Sequence, residues 1–497
     1  MSTLADALLE ASRSTPDRVL IVDGDTTVDA ATLHRQATAL AAAMSARMPA
    51  GSVVSFMLPN WHEAATVYLA ATLSQMVVNP ILPSLRDSEL RFILSDADVR
   101  MIFVPEQFRG HDHAAMLRRV SADLTDPPEV VVVRGAGDTS FTDLLQTPAA
   151  PQTRPDPAAV RMIMYTSGTT GRAKAVLHSH ESIHALIRQI GAHWRVDPGD
   201  TFLVPSPIAH IGGSIYAFEC PLLLGSTAVL MQHWDPDVAV QLMQQYRCSH
   251  MAGATPFLEG LLGAAERAGT RLPDLKVFIC GGASVPPALI TRAGGYFEKA
   301  VVTRVYGSTE VPVTTVGSPD DPARAADTDG RPGIAEIVLV DGEIRVRGPQ
   351  MLVGYLHDED TAAAFDASGY FRTGDLGMLT PDGYLVVTGR AKDIIIRNGE
   401  NISPKEIEDI LIGHPGIAEV AVVGIPDART GERACAVIVA ADADPPDIAD
   451  LAALLHRHGL AKFKTPERVV AWESLPRNDA GKILKHQIRA TLTKESH

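Results

Sequence analysis

Cysteine is scarce in this chain. Cys220, Cys248, Cys280 and Cys435 are the only four in 497 residues, and no two stand at metal-ligand spacing. That scarcity excludes a disulfide framework and a cysteine-built zinc site, and it fits a reducing compartment. Positive charge is also in deficit: 44 Lys and Arg against 59 Asp and Glu give a formal charge of −15. Such a balance argues against a nucleic-acid or anionic-membrane surface, while leaving room for local basic pockets. No window reaches eighteen apolar residues without charge, so no membrane span is expected. The opening Met-Ser-Thr-Leu-Ala-Asp-Ala-Leu-Leu-Glu carries acids early and no basic stretch before an apolar core, which points to a cytoplasmic protein rather than an exported one. Internal repeats and low-complexity tracts are missing too.

What is present is a globular composition, 46 % hydrophobic and 21 % charged, in a chain too long for one core. A hairpin is predicted over 18–29, then a helix over 30–48, a strand over 53–58 and an amphipathic helix over 61–75. Helix 87–94 and strands 99–104 and 130–133 continue the alternation. It resumes with strand 160–165, strand 201–204, helix 215–224, strand 228–231, helix 237–246, strand 276–280, helix 286–297 and strand 301–305. Short buried strands alternating with helices imply an α/β fold with a largely parallel sheet. From about residue 330 the texture changes to strands 337–340, 343–346 and 384–387 with Asp-Gly turns, which reads as an antiparallel, barrel-like region. Helix 404–412, strands 418–423 and 434–439 and helix 448–458 then form a compact α+β unit. The expected fold is therefore a large N-terminal domain, residues 1–389, of parallel α/β layers plus the barrel-like region. A small α+β C-terminal domain, residues 390–497, follows it.

The densest chemical signal lies between strand 160–165 and the helix predicted to start near Ser179. There Thr166, Ser167, Gly168, Thr169, Thr170 and Gly171 are followed by Lys174. Hydroxyls and glycines so close together suit a loop that wraps N–H and O–H groups round phosphate oxygens, with a lysine as counter-charge. The spacing is not that of a Walker A loop, and a polar surface turn has similar composition. Tyr306-Gly307-Ser308-Thr309-Glu310 follows strand 301–305, where parallel sheets place ligands. Glu310 is a hard oxygen ligand suited to Mg²⁺, and Thr309 can reach a phosphate oxygen. Gly281-Gly282-Ala283-Ser284 also follows a strand, and glycines there let backbone approach a flat ligand. In Tyr370-Phe-Arg-Thr-Gly-Asp375 the carboxylate can accept from two neighbouring hydroxyls.

These motifs, with 389–408 (Gly-Arg-Ala-Lys-Asp-Ile-Ile-Ile-Arg-Asn-Gly-Glu-Asn-Ile-Ser-Pro-Lys-Glu-Ile-Glu) and Leu475-Pro-Arg-Asn-Asp-Ala-Gly-Lys482, occur in an order that resembles the adenylate-forming superfamily of acyl-CoA synthetases, adenylation domains and beetle luciferases. The resemblance covers essentially the whole chain. It implies an ATP-dependent carboxylate–CoA ligase. The acid first attacks the α-phosphate of Mg·ATP to give an acyl-adenylate and pyrophosphate, and the CoA thiol then displaces AMP. By the same resemblance Tyr306 stacks on adenine within the 306–309 segment, and Gly282, Ala283 and Ser284 line the nucleotide. Asp375 takes the ribose hydroxyls and Arg390 contacts ribose or phosphate. Lys482 is the catalytic lysine of adenylation, alongside Lys174, Thr309 and Glu310. Lys392 is the hinge on which the mobile terminal domain turns, and Gly399 and Glu400 border the CoA tunnel. His210, in Pro205-Ser-Pro-Ile-Ala-His210, separates the ATP side from an acyl tunnel bordered by Ile211, Gly212, Gly213 and Gly281.

Two departures stand out. Ala173-Lys174-Ala175 replaces the family's Pro-Lys-Gly, so Ala175 is expected to curtail backbone freedom and slow loop closure. Ile396 stands where several relatives carry a second lysine and takes no role. Around His210 no charged residue falls in the tunnel motif, which disfavours amino-acid and dicarboxylate substrates. Ala254-Thr255-Pro256-Phe257 and Cys280-Gly281-Gly282-Ala283 are similar to the corresponding segments of ligases for alicyclic or medium-length acids. The expected partners are thus a hydrophobic carboxylic acid, ATP and CoA, with a homodimer as an option. A stand-alone enzyme loading a carrier protein, a ligase that stops at the adenylate and a catalytically silent nucleotide-binding protein remain as alternatives.

Overall fold

A computed structural model describes residues 3–150, 154–166, 172–282, 285–317, 322–427, 429–441, 445–478 and 481–494. Two large sheets form the first part of the chain. One has seven strands in the order Val301–Val305, Val277–Gly281, His250–Gly253, Thr201–Val204, Thr227–Leu230, Val19–Asp23 and Thr26–Asp29. It is parallel up to its edge, where the last two strands form the expected hairpin. The other has eight strands: Gly354–Tyr355, Lys174–Ser179, Val160–Thr166, Val77–Pro80, Val53–Phe56, Val99–Pro105, Glu129–Val133 and Thr139–Ser140. The first three of these run antiparallel to one another and the rest are parallel.

One apolar core joins the inner faces of both sheets, drawing Phe202 and Leu230 from one and Phe56, Phe103, Met162 and Met164 from the other. The helix His62–Leu73 is buried in this layer at every position from Glu63 to Leu73. That corrects the amphipathic reading of 61–75: a helix packed against the helices Ala30–Ser45 and Leu4–Ser14 as well as against strands of both sheets has no solvent face, so its apolar residues need not form a stripe. Predicted helix 215–224 is likewise revised. The helical stretch starts at Ile211, passes through a π-turn at Ile215–Glu219 and ends at Leu223, so Gly212 and Gly213 are its first turn. The strand His250–Gly253 and the helix Thr255–Ala268 are elements that the sequence pattern does not announce.

The antiparallel region is a four-stranded sheet, Glu336–Val340, Glu343–Arg347, Phe371–Leu379 and Leu385–Arg390, with its own small core. Among the described residues its ladder is open, with Glu336–Val340 and Leu385–Arg390 at its edges. The C-terminal unit pairs Gly431–Ala440 with Ile417–Asp427, Ile395–Arg397 and Arg468–Ala471. Helices Pro404–Leu411 and Ile448–Arg457 contribute to the apolar cluster on one side of this sheet, and Lys485–Lys494 to a second cluster. Every free cysteine described is buried.

Candidate active site

The phosphate-type loop is held between two antiparallel strands. Thr166 ends one and Lys174 begins the next, directly opposite, with the Thr166 hydroxyl donating to the Lys174 carbonyl at 3.4 Å. Ser167, Gly168, Thr169, Thr170 and Gly171 lie outside the described residues, as do Ala283 and Ser284. Ala175 pairs with Tyr165 and is buried within the strand. Alanine adopts this strand conformation without strain.

Lys174 rests at 3.0 Å from Asp360 and 5.2 Å from the centre of the Tyr355 ring. The Tyr355 hydroxyl donates to Glu310 Oε1 at 3.1 Å. The Glu310 backbone is fixed in turn, since its carbonyl accepts from Leu352 N at 2.7 Å. One residue earlier, the Thr309 carbonyl accepts from His178 Nε2 at 2.7 Å. Burial pushes the His178 pKa down to about 4, so the ring is neutral and its tautomer is set by that carbonyl. Gly307 is required for packing, because a Cβ there would stand 2.6 Å from Val313 N. Ser308 closes the turn by accepting from Val311 N at 3.3 Å.

At the other end of the same five-residue segment, the Tyr306 hydroxyl donates to Asp375 Oδ2 at 2.8 Å. Burial, with the Asp375 charge beside it, pushes the Tyr306 pKa well up, so the phenol remains a donor. Arg390 Nε lies 2.6 Å from Asp375 Oδ1, and the two residues are direct cross-strand partners. Asp375 is buried, yet each of its oxygens keeps a further lone pair for a ligand hydroxyl.

Lys482 reaches this pair from the C-terminal unit. Its loop is closed by Asn478, whose Oδ1 accepts from Lys482 N at 2.8 Å. Gly481, in the left-handed region at φ +78°, lies close enough to the large domain that a Cβ there would touch Pro256 Cγ at 3.6 Å. The Lys482 residue is exposed as a whole, but its ammonium sits in crowded surroundings. Desolvation, then the Arg390 charge, draws its pKa down to about 8 against the pull of Asp375. Lys392 lies in the short turn Ala391–Asp393, its pKa lowered by desolvation and then by Arg390. Gly399 and Glu400 belong to a hairpin whose turn, Asn398-Gly399, has φ +50° and +84°, the pattern of a two-residue primed turn. That hairpin is exposed and bonded through Asn398 N to Thr430 in its own unit.

The acyl-side candidates divide. His210 caps the helical stretch, its carbonyl accepting from Gly213 N and Ser214 N at 2.9 Å each. Ile211 is buried, and a Cβ on Gly212 would meet open space. Gly213 differs: a Cβ there would stand 2.2 Å from the Pro207 carbonyl oxygen. Gly281 is similarly constrained, with Val305 Cγ1 at 2.4 Å. Both are close-approach glycines, whereas Gly282, at φ +83°, adopts a left-handed turn.

Residues that sequence reasoning misses are His178, Tyr355 and Asp360. Each acts on a motif residue from a distant segment, so no local spacing announces it. Elsewhere Asp23, His62 and Glu63 converge to metal-site distances, but the Arg134 guanidinium already fills the cluster at 2.6 Å from Asp23 and 2.7 Å from Glu63.

Residues 8–356 match the family described as AMP-binding enzyme, and residues 406–482 match the AMP-binding enzyme C-terminal domain. The chain is 35 % identical to a medium-chain fatty-acid–CoA ligase of Escherichia coli K12, over 98 % of this chain and 90 % of that one. It is 33 % identical to the 3-[(3aS,4S,7aS)-7a-methyl-1,5-dioxo-octahydro-1H-inden-4-yl]propanoyl:CoA ligase of Rhodococcus jostii RHA1, over 98 % of both. The crystal structure of ATP-bound MatB from Rhodopseudomonas palustris superposes with a TM-score of 0.89 at 27 % identity, over 100 % of both chains. No described helix is long and apolar enough to cross a membrane. The chain belongs to the AMP-binding enzyme family and is an AMP-forming carboxylate–CoA ligase, with a carboxylic acid, ATP and CoA as its substrates.

Proposed function

We propose that this enzyme activates a hydrophobic carboxylic acid, medium-length or alicyclic, through the acyl-adenylate to its CoA thioester. The observation that carries the reading is the single segment Tyr306–Glu310. One end touches the Asp375–Arg390 pair and the other touches Tyr355, beside Lys174. A nucleoside triphosphate laid along it would have its ribose at Asp375 and its phosphates toward Lys174. Lys482 would neutralise charge on the reacting carboxylate and α-phosphate as pyrophosphate leaves. Mg²⁺ keeps most of its water and needs only one or two carboxylates besides substrate phosphates, so Glu310 suffices to hold it. The ion would supply charge neutralisation to the triphosphate.

The acid is inferred from the apolar or small residues Ile208, Ile211, Gly212 and Tyr216 beside His210, and the substrates in the names of the two relatives agree with that class. Residues 390–497 would turn about Lys392 after adenylation, exchanging Lys482 for the Gly399–Glu400 hairpin at the site. The reading further includes a cytoplasmic enzyme acting as a homodimer. ATP–pyrophosphate exchange over a panel of acids tests it, followed by CoA-ester formation from the best acid. Exchange confined to short, charged or amino acids would refute the substrate class; exchange without CoA ester would favour the carrier-loading alternative. Sedimentation of the purified enzyme would decide its oligomeric state.

A further inference from the structure

The short strand Gly354–Tyr355 and the helix Asp358–Ala364 that follows it are tied to both flanks of the phosphate-type loop. On one flank, Asp96 accepts from the Tyr165 hydroxyl at 2.8 Å and meets His357 Nε2 at 2.9 Å. On the other, Asp360 Oδ2 lies 2.7 Å from Arg172 and Oδ1 lies 3.0 Å from Lys174. The helix is tied back to the strand, for Thr361 Oγ1 accepts from Tyr355 N at 2.8 Å. The strand is paired in register, Val176 with Tyr355 and Leu177 with Gly354. Asp360 is thus a carboxylate on a fixed frame, only 13 % exposed, that joins two cations of a different segment.

We infer that Asp360 is a positioning residue for triphosphate binding, holding the Lys174 ammonium and the Arg172 guanidinium in place for the phosphates. The inference rests on the phosphate role proposed for Lys174. A lysine on a four-carbon stem has much rotamer freedom to lose when it grips a ligand. Fixing it beforehand lowers that cost at the moment of binding. One bond to Asp360 and the face of the Tyr355 ring set the direction of the ammonium and leave two N–H donors for phosphate oxygens. Charge agrees: two cations against one carboxylate leave a net positive site. The exposed Arg172 contact alone would be an ordinary surface pair, but Lys174 is more sheltered and shares the same carboxylate.

The test is a double-mutant cycle read by ATP affinity, from equilibrium titration, and by separate KM values for ATP and acid. Asp360→Ala should weaken ATP binding and raise the ATP KM by about tenfold, the scale of one charge-assisted hydrogen bond. The acid KM should stay within about twofold of wild type, and the isosteric Asp360→Asn should shift ATP in the same direction without a packing change. In a Lys174→Ala background Asp360→Ala should add little. The inference is overturned if ATP binding is unchanged, if both KM values rise together, or if the two substitutions are additive. Should Lys174→Ala alone leave ATP affinity intact, the phosphate role of Lys174 fails, and the positioning role falls with it.

Discussion

Tyr306 and Asp375, 69 residues apart in the chain, meet through a 2.8 Å hydrogen bond from phenol to carboxylate. The bond ties the residue expected to stack on adenine to the one expected to take the ribose, so the two should respond together. Asp375→Asn removes the charge facing Arg390 and turns one acceptor into a donor opposite the phenol. ATP-dependent exchange should fall by roughly 10–100-fold in kcat/KM, on the scale of one or two charge-assisted bonds. Tyr306→Phe should cost less, since the ring remains, and should lose most of its effect when combined with Asp375→Asn. Pyrophosphate exchange on the two single variants and the double variant checks this; full additivity would mean that the pair does not act as a unit.

Lys482 gives a pH dependence with a definite sign. The neutralising role needs the protonated amine, and its pKa of about 8 means that form is lost as pH rises through 8. The first half-reaction should therefore decline above about pH 8, approaching tenfold per unit, with no such limb in Lys482→Ala. Exchange is the right measurement because the CoA thiol ionises in the same range and would mask the limb in the complete reaction. Stability runs the other way. A lysine whose folded pKa lies below its unfolded value carries fewer protons in the native state between about 8 and 10.5. Raising the pH across that window therefore favours folding at this site while it removes activity. Thioester formation from supplied acyl-adenylate should survive Lys482→Ala.

Arg161 and Glu219 form a buried ion pair, 2.5 Å apart and 2 % and 1 % exposed, and the Tyr68 hydroxyl donates to the same Glu219 oxygen at 2.6 Å. Glu219 closes the π-turn that follows the His210 cap. Glu219→Ala would strand the Arg161 charge in the core and should destabilise the protein by about 3–5 kcal/mol. Denaturant unfolding followed by tryptophan fluorescence checks it. A loss below about 1 kcal/mol would mean that water reaches the guanidinium.

The alternation of strand and helix is legible because each element repeats its own period, and the motif residues are legible because they cluster along the chain. Tyr306, Glu310, Asp375, Arg390 and Lys482 can be named from their motifs alone. Their connections cannot. His178 on Thr309, Tyr355 on Glu310 and Asp360 on Lys174 join segments far apart in sequence, and the intervening composition carries no period that reports them. The helix His62–Leu73 misleads for the opposite reason: threonine, tyrosine and glutamate among alanines look like a polar face until neighbouring helices and strands bury them too.

The glycine pair separates packing from specificity. At Gly213 any side chain meets the Pro207 carbonyl at 2.2 Å, so Gly213→Ala should lower stability and depress activity on all acids alike. At Gly212 a side chain enters open space. If that space receives the acyl group, Gly212→Leu should penalise long or ring-bearing acids far more than propionate. Each excluded methylene is worth about 0.8 kcal/mol, or roughly fourfold in kcat/KM. The ATP KM should hardly move. Uniform loss across the acid panel with Gly212→Leu would place the acyl group elsewhere.

The hinge proposal is tested by the backbone of Lys392. The residue is the middle one of the 3-10 turn Ala391–Asp393, a conformation whose usual φ of about −60° proline shares. Lys392→Pro should therefore accept the arrangement in which Lys482 approaches Asp375 and Arg390, while forbidding a large change of φ at that position. Pyrophosphate exchange should stay within about threefold of wild type, because the adenylation arrangement is unchanged, whereas CoA-ester formation should fall by orders of magnitude. Lys392→Ala separates backbone from charge: it removes the ammonium near Arg390 but keeps rotation, so both half-reactions should continue. If Lys392→Pro forms CoA ester at the wild-type rate, the pivot lies in another residue of the stretch 389–393. If it loses exchange as well, the turn itself has been disrupted, and a drop in melting temperature would accompany the loss.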